Sequence, residues 1–106
     1  MALQWLGGSE EDVALRRAMQ ALLGHWQGED GSHYALTRNG DGRISVATTR
    51  PDGWQRSTKG LITIQVVSGS VVVVWGRAER RFVLELGAAE AAWRRGRRCF
   101  RWSKLQ

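Results

Sequence analysis

The sequence predicts a mainly β domain: an N-terminal α-helix packed on a small antiparallel β-meander or barrel of about seven or eight short strands. Three observations carry this. Apolar spacing switches from a period of 3.6 to a period of two at Gly24. The segments beyond Gly24 are rich in Val, Ile, Thr and aromatic residues and are separated by tight-turn sequences. The connections are too short for crossover helices, so neighbouring strands must run antiparallel. With 106 residues, 42% of them hydrophobic, the chain is sized for one core and one domain.

The expected division is an N-terminal arm over 1–8, a helix over 9–23 and a β-barrel or half-barrel over 24–106. Ser9 stands where a helix cap would, with Asp12 at the capping-box position and Glu10 and Glu11 at the positive end of the dipole. Leu15, Ala18, Met19 and Leu22 line one face, and Gly24 is the stop. Strands are expected over 33–38, 43–49, 54–59, 61–67, 71–77 and 81–86. A final hairpin pairs 93–95 with 99–102 around Gly96. The turns are Asn39-Gly40-Asp41-Gly42, Pro51-Asp52-Gly53 and Ser68-Gly69-Ser70. Alternation places Ile44, Val46, Leu61, Val72, Val74, Phe82 and Leu84 in the core with Trp26 and Trp102.

Charge is divided unevenly. Residues 1–30 hold two arginines against five acids, whereas the rest holds fourteen cations against five acids, for a net +6 overall. The densest stretch is W-R-R-G-R-R-C-F-R-W-S-K over 93–104, which sets cations beside flat rings. That pattern suits a ligand with phosphates and stackable bases, and equally a hairpin that buries its rings and solvates its arginines. The apolar runs are too short for a membrane span, and the N-terminus lacks the pattern of a signal or transit peptide, so an intracellular setting is expected. Cys99, the one cysteine, has no partner for an internal disulfide.

Chemistry-bearing patterns are sparse. The run T-R-N-G-D-G-R-I-S-V-A-T has the glycine of a calcium loop, but Thr37 and Thr48 stand where its first and twelfth ligands belong. His25, His33 and Cys99 do not make a four-ligand zinc set. Cys99 has flanking arginines but no base assigned beside it, and Glu85 alternates onto a solvent face. No P-loop, nucleophile elbow or dinucleotide fingerprint occurs. The expectation is therefore a protein that is not an enzyme and uses no cofactor or metal.

Two resemblances accompany these readings. Gly24-His25-Trp26, opening a run of strands, resembles the G-x-W start of the calycin barrels, the lipocalins and avidins. That likeness implies a late-strand arginine packed over Trp26, with Arg101 or Arg95 as candidates. A wider pattern is similar to an uncharacterised small Trp-rich domain associated with dinoflagellate proteins. It comprises W-x-G-x-x-G-S-x-Y-x-L over 26–36, T-T-R-P-x-G over 48–53, V-V-W-G over 73–76, Trp93 and F-x-W over 100–102. It implies a reusable module and brings no catalytic residues.

The leading expectation is a non-catalytic binding module whose basic face meets an acidic macromolecule, with RNA or single-stranded DNA the foremost candidate. Arg94, Arg95, Arg97, Arg98, Arg101 and Lys104 would neutralise phosphates and Trp54 would stack on a base. The alternative is a protein-interaction or accessory-subunit domain that docks through Trp5, Leu3 and Leu6. A third reading is a calycin-like carrier of a small ligand.

Overall fold

The computed structural model describes residues 2–87 and 89–105, with side chains from Glu10 onward. Helix α1 spans Ala2–Leu22, and nine strands follow: β1 Gly24–Gly28, β2 His33–Arg38, β3 Ile44–Thr49, β4 Gln55–Lys59, β5 Ile62–Val67, β6 Ser70–Trp75, β7 Phe82–Leu86, β8 Glu90–Arg95 and β9 Arg98–Lys104. The mainly β class with one N-terminal helix is as expected. The ninth strand is β1, which sequence reading does not count separately because its five residues are bounded by glycines at both ends.

The helix begins earlier than Ser9, so residues 2–8 are helical rather than an arm. Leu3, Trp5 and Leu6 lie in this turn, with side chains outside the described residues. Ala, Leu and Gln are strong helix formers, and Gly7 and Gly8 each oppose them by only about 1 kcal/mol. Further along, Leu15, Ala18 and Met19 are half-buried and Leu22 is fully buried, the predicted face.

All nine strands form one antiparallel sheet in the order β4-β3-β2-β1-β9-β8-β7-β6-β5. The two meanders, β1–β4 and β5–β9, are joined where β1 pairs with β9 through Trp26↔Lys104, Gln27↔Ser103 and Gly28↔Trp102. With every neighbour antiparallel, the two edges β4 and β5 run in the same sense and cannot make a hairpin. Only Gly60 and Leu61 separate them. Adjacent strands twist by about 20–25°, which over eight interfaces accumulates to roughly half a turn and brings the start of β5 round to the end of β4.

The sheet is thus coiled into a nearly closed barrel with one seam. The Gly60 N–H still donates to Ile44 of β3 (3.0 Å), whereas the Leu61 carbonyl already accepts from Gly76 beyond β6 (2.9 Å). The chain crosses the seam at that one peptide bond, and Gly60 takes φ +79° to do so.

The interior is aromatic. Trp26, Trp93 and Trp102 are fully buried with Leu22, Leu36, Val46 and Ile62, and Tyr34, Ile44, Val73 and Ala91 join them. Tyr34 stacks on Trp102 at 4.3 Å, and Trp75 meets Tyr34, Trp93, Phe100 and Trp102 edge-on. Tyr34 stands on β2 and Trp75 on β6, so these contacts join the two meanders across the interior.

Five expected core positions differ. Leu61, Val72, Phe82 and Leu84 are half-buried, while Ile62 and Val73 are buried, and Val74 is buried on the face opposite Val73 and Trp75. The register pairs Ile62 with Trp75 and Ile64 with Val73, which sets the inward face of both strands. Phe82 and Leu84 face inward but pack at the margin of the cluster.

Candidate functional site

The end of the sheet beneath α1 is closed by polar contacts. The carbonyls of a helix's last turn have no intrahelical partner. Here the Trp26 indole donates to Leu22 O at 2.8 Å. The Lys104 ammonium donates to Ala21 O at 2.8 Å and Leu23 O at 2.6 Å, and lies 4.5 Å from the Trp26 ring centroid. Its charge faces the negative end of the helix dipole. Burial draws the Lys104 pKa below its ordinary value.

The sequence assigns Lys104 to the basic surface, and this engagement removes it from there. The cation over Trp26 is also Lys104, not Arg101 or Arg95. A hollow of about 640 Å³ beside the helix has an aliphatic floor of Leu15, Met19, Ile44, Ile62 and Ile64 and a basic wall of Arg38, Arg43, Lys59 and Arg77. It offers no ring to stack on.

The terminal hairpin divides its residues by face: Trp93 and Trp102 are buried and Phe100 half-buried, whereas Arg94, Arg97, Arg98 and Arg101 are exposed. Arg94 Nε pairs with Glu85 Oε1 at 2.6 Å. Arg95 is half-buried, its guanidinium 4.9 Å from the Phe82 ring centroid. The Arg101 backbone N–H donates to Glu29 Oε1 at 2.7 Å. Of the six predicted cations, Arg97, Arg98 and Arg101 are those whose side chains have no ion-pair or hydrogen-bond partner among the described residues.

A second basic segment joins them. Arg95 Nη1 reaches the Arg80 carbonyl at 3.4 Å, so the loop over 76–81 lies against the hairpin turn. That loop, G-R-A-E-R-R, adds Arg77, Arg80 and Arg81, against a single Glu79; Arg80 and Arg81 are exposed and so is Arg77. Sequence reading misses them because fifteen residues separate Arg80 from Arg95. The signal that could have found them is the register, in which β7 pairs Val83 with Arg94 and thereby sets Arg81 beside the end of β8.

The loop is held in strained backbone. Ala78 sits at φ +51°, where a side chain is disfavoured. At Gly76, φ is +108° and an added Cβ would stand 3.0 Å from the Arg80 carbonyl oxygen.

Beside this rim the interior opens as a two-lobed cleft. One lobe, about 450 Å³, is walled by Gly28, Glu29, Asp30, Tyr34, Arg50, Trp75, Cys99, Phe100, Arg101 and Trp102. The other, about 210 Å³, is walled by Thr48, Arg50, Trp54, Arg56, Thr58, Leu61 and Trp75. Arg50 is fixed through one nitrogen: Nη1 donates to Ser32 Oγ (3.0 Å) and Tyr34 Oη (3.2 Å) and stands 3.5 Å from Asp30 Oδ2. The Ser32 backbone N–H, donated to Asp30 Oδ1, holds that carboxyl below the ordinary range, helped by the Ser32 side chain and Arg50. Trp54 is half exposed. Asp52 caps its backbone N–H, as Asp41 does for Arg43, so both aspartates do the turn work expected of them.

The Nε1 atoms of Trp93 and Trp102 are buried with no hydrogen-bond partner among the described residues. Among those residues no group of three His, Cys, Asp or Glu side chains gathers, and no helix is long and apolar enough to cross a membrane. Comparison with protein-family models, curated proteins and solved structures gives no match.

Proposed function

We propose that this domain is a non-catalytic binding module whose arginine rim takes an acidic macromolecule, with RNA or single-stranded DNA the foremost candidate. The observation that carries the reading is the convergence of two separate basic segments, 77–81 and 95–98, on one rim. Arg80, Arg97 and Arg98 are exposed there without an ion-pair partner among the described residues, and Arg77 of the same loop is exposed toward the hollow beside α1. Unpaired guanidinium groups bind phosphate oxygens bidentately, and a rigid loop presents them with less entropy loss than a mobile tail. The half-exposed Trp54 and the open aromatic cleft supply faces on which bases stack. No residue is assigned to bond making in this reading.

A salt titration with single-stranded RNA tests it. Affinity should fall linearly on a log–log plot against salt. Changing Arg80, Arg97 and Arg98 to Gln should flatten the slope by about 0.7 for each phosphate that is no longer neutralised. Absence of RNA and DNA binding at low salt, where charge attraction is strongest, would refute the reading.

A further inference from the structure

We propose that the two-lobed cleft holds one nucleotide unit, with the base against the half-buried rings of Trp75 and Phe100 and the phosphate between Arg50 and Arg56. The proposal rests on the nucleic-acid reading above and deepens it from a charged surface to a defined pocket. Both lobes share Arg50 and Trp75, so one ligand can span them, and their volumes suit a small molecule rather than a water.

Charge fixes which end goes where. Glu29 and Asp30 stand only in the aromatic lobe, where they offset the charges of Arg50 and Arg101 and can accept N–H groups from a base edge. The smaller lobe has Arg50, Arg56 and the hydroxyl residues Thr48 and Thr58, and no acid. Arg50 is oriented in advance: Nη1 is committed to Ser32, Tyr34 and Asp30, while Nε and Nη2 have no partner among the described residues.

Trp102 stands behind the aromatic lobe, fully buried and stacked on Tyr34, so a ligand there acts on its ring through Trp75 and Phe100. Half-buried Trp75 and Phe100 leave ring area uncovered for stacking. Gly28 helps keep the lobe open, because a Cβ there would come within 3.2 Å of both Asp30 Oδ1 and the Tyr34 ring.

The test is nuclear magnetic resonance of the nitrogen-15 protein, whose six tryptophans give six indole N–H signals. Adenosine 5′-monophosphate should move the Trp75 and Trp102 signals and the Arg50 Nε–H, and leave Trp26, closed off beneath α1, unmoved. Adenosine alone and inorganic phosphate alone should each need at least about tenfold higher concentration, as should the mononucleotide with the exposed-site variant Arg56→Gln. Equal shifts with inorganic phosphate, or none at Trp75 and Trp102 with the mononucleotide, would overturn the pocket. If an oligonucleotide still binds with a steep salt slope in that case, the rim reading survives without it. If the mononucleotide binds and the oligonucleotide shows no salt dependence, the pocket stands and the macromolecular reading falls.

Discussion

The end of the coiled sheet beneath α1 and the end that opens at Arg50 draw on the same residue types and use them oppositely. Beneath the helix a tryptophan N–H, a lysine and three carbonyls satisfy one another, and the ring of Trp26 is sealed. At the open end a tryptophan N–H has no acceptor, the guanidinium groups of Arg56, Arg97, Arg98 and Arg101 have no ion-pair partner among the described residues, and Trp54 is half exposed. Ala78 adds backbone strain there. Matched polar groups and full burial stabilise; unmatched groups held rigidly are what recognition requires, and they contribute little to folding.

The largest test of this contrast compares two tryptophans. Trp26→Ala should destabilise the fold by about 3–5 kcal/mol in a urea melt, and Trp54→Ala by less than about 0.5 kcal/mol. Similar losses for both would erase the distinction between the ends.

Lys104→Met keeps the stem but leaves two carbonyls without their donor, and should lower stability by about 1–3 kcal/mol by the same measurement. Arg98→Met at the rim should leave the melt unchanged and weaken only the binding of an acidic partner. At Ala78 the sign reverses: Ala78→Gly relieves a left-handed backbone and should stabilise by up to about 1 kcal/mol, read as a raised urea midpoint.

The smallest effect concerns pH. Asp30 has a folded pKa below its unfolded one, so its contribution is present above the unfolded value near 4 and is lost as pH falls through the folded value. Because its side chain is mostly exposed, Asp30→Asn should remove only a few tenths of a kcal/mol of acid sensitivity.

Much of the architecture was legible because its signals are local. The turn aspartates, the helix face and the division of the hairpin into buried rings and solvated arginines follow from spacing within a few residues. The face of β5 was legible but misread: Thr63 and Gln65 alternate with Ile62 and Ile64, which puts Ile62 inside, whereas the expectation put Leu61 there. Val71 to Val74 carry no alternation, so only the partner strand sets their faces. What was not legible depends on pairs distant in sequence: the crossing at Gly60, the juxtaposition of Arg80 with Arg95, and the engagement of Lys104 with a helix eighty-three residues earlier. Sequence reading gathers the hairpin's cations into one site because they are contiguous, and the fold disperses them while bringing Arg80 and Arg81 into their place.

The pairing of β1 with β9 bears on the order of events during synthesis. The last of the nine described strands to be made occupies the fifth place in the sheet, where it ends the second meander and makes its strand pairing with the first. Until Trp102 and Lys104 emerge from the ribosome, Trp26 lacks its neighbour, the helix carbonyls wait for their ammonium, and two strand edges stand unpaired. Assembly of the sheet therefore cannot finish before β9 is free. A nascent or truncated chain lacking β9 would expose an aggregation-prone interior rather than a slightly shortened domain.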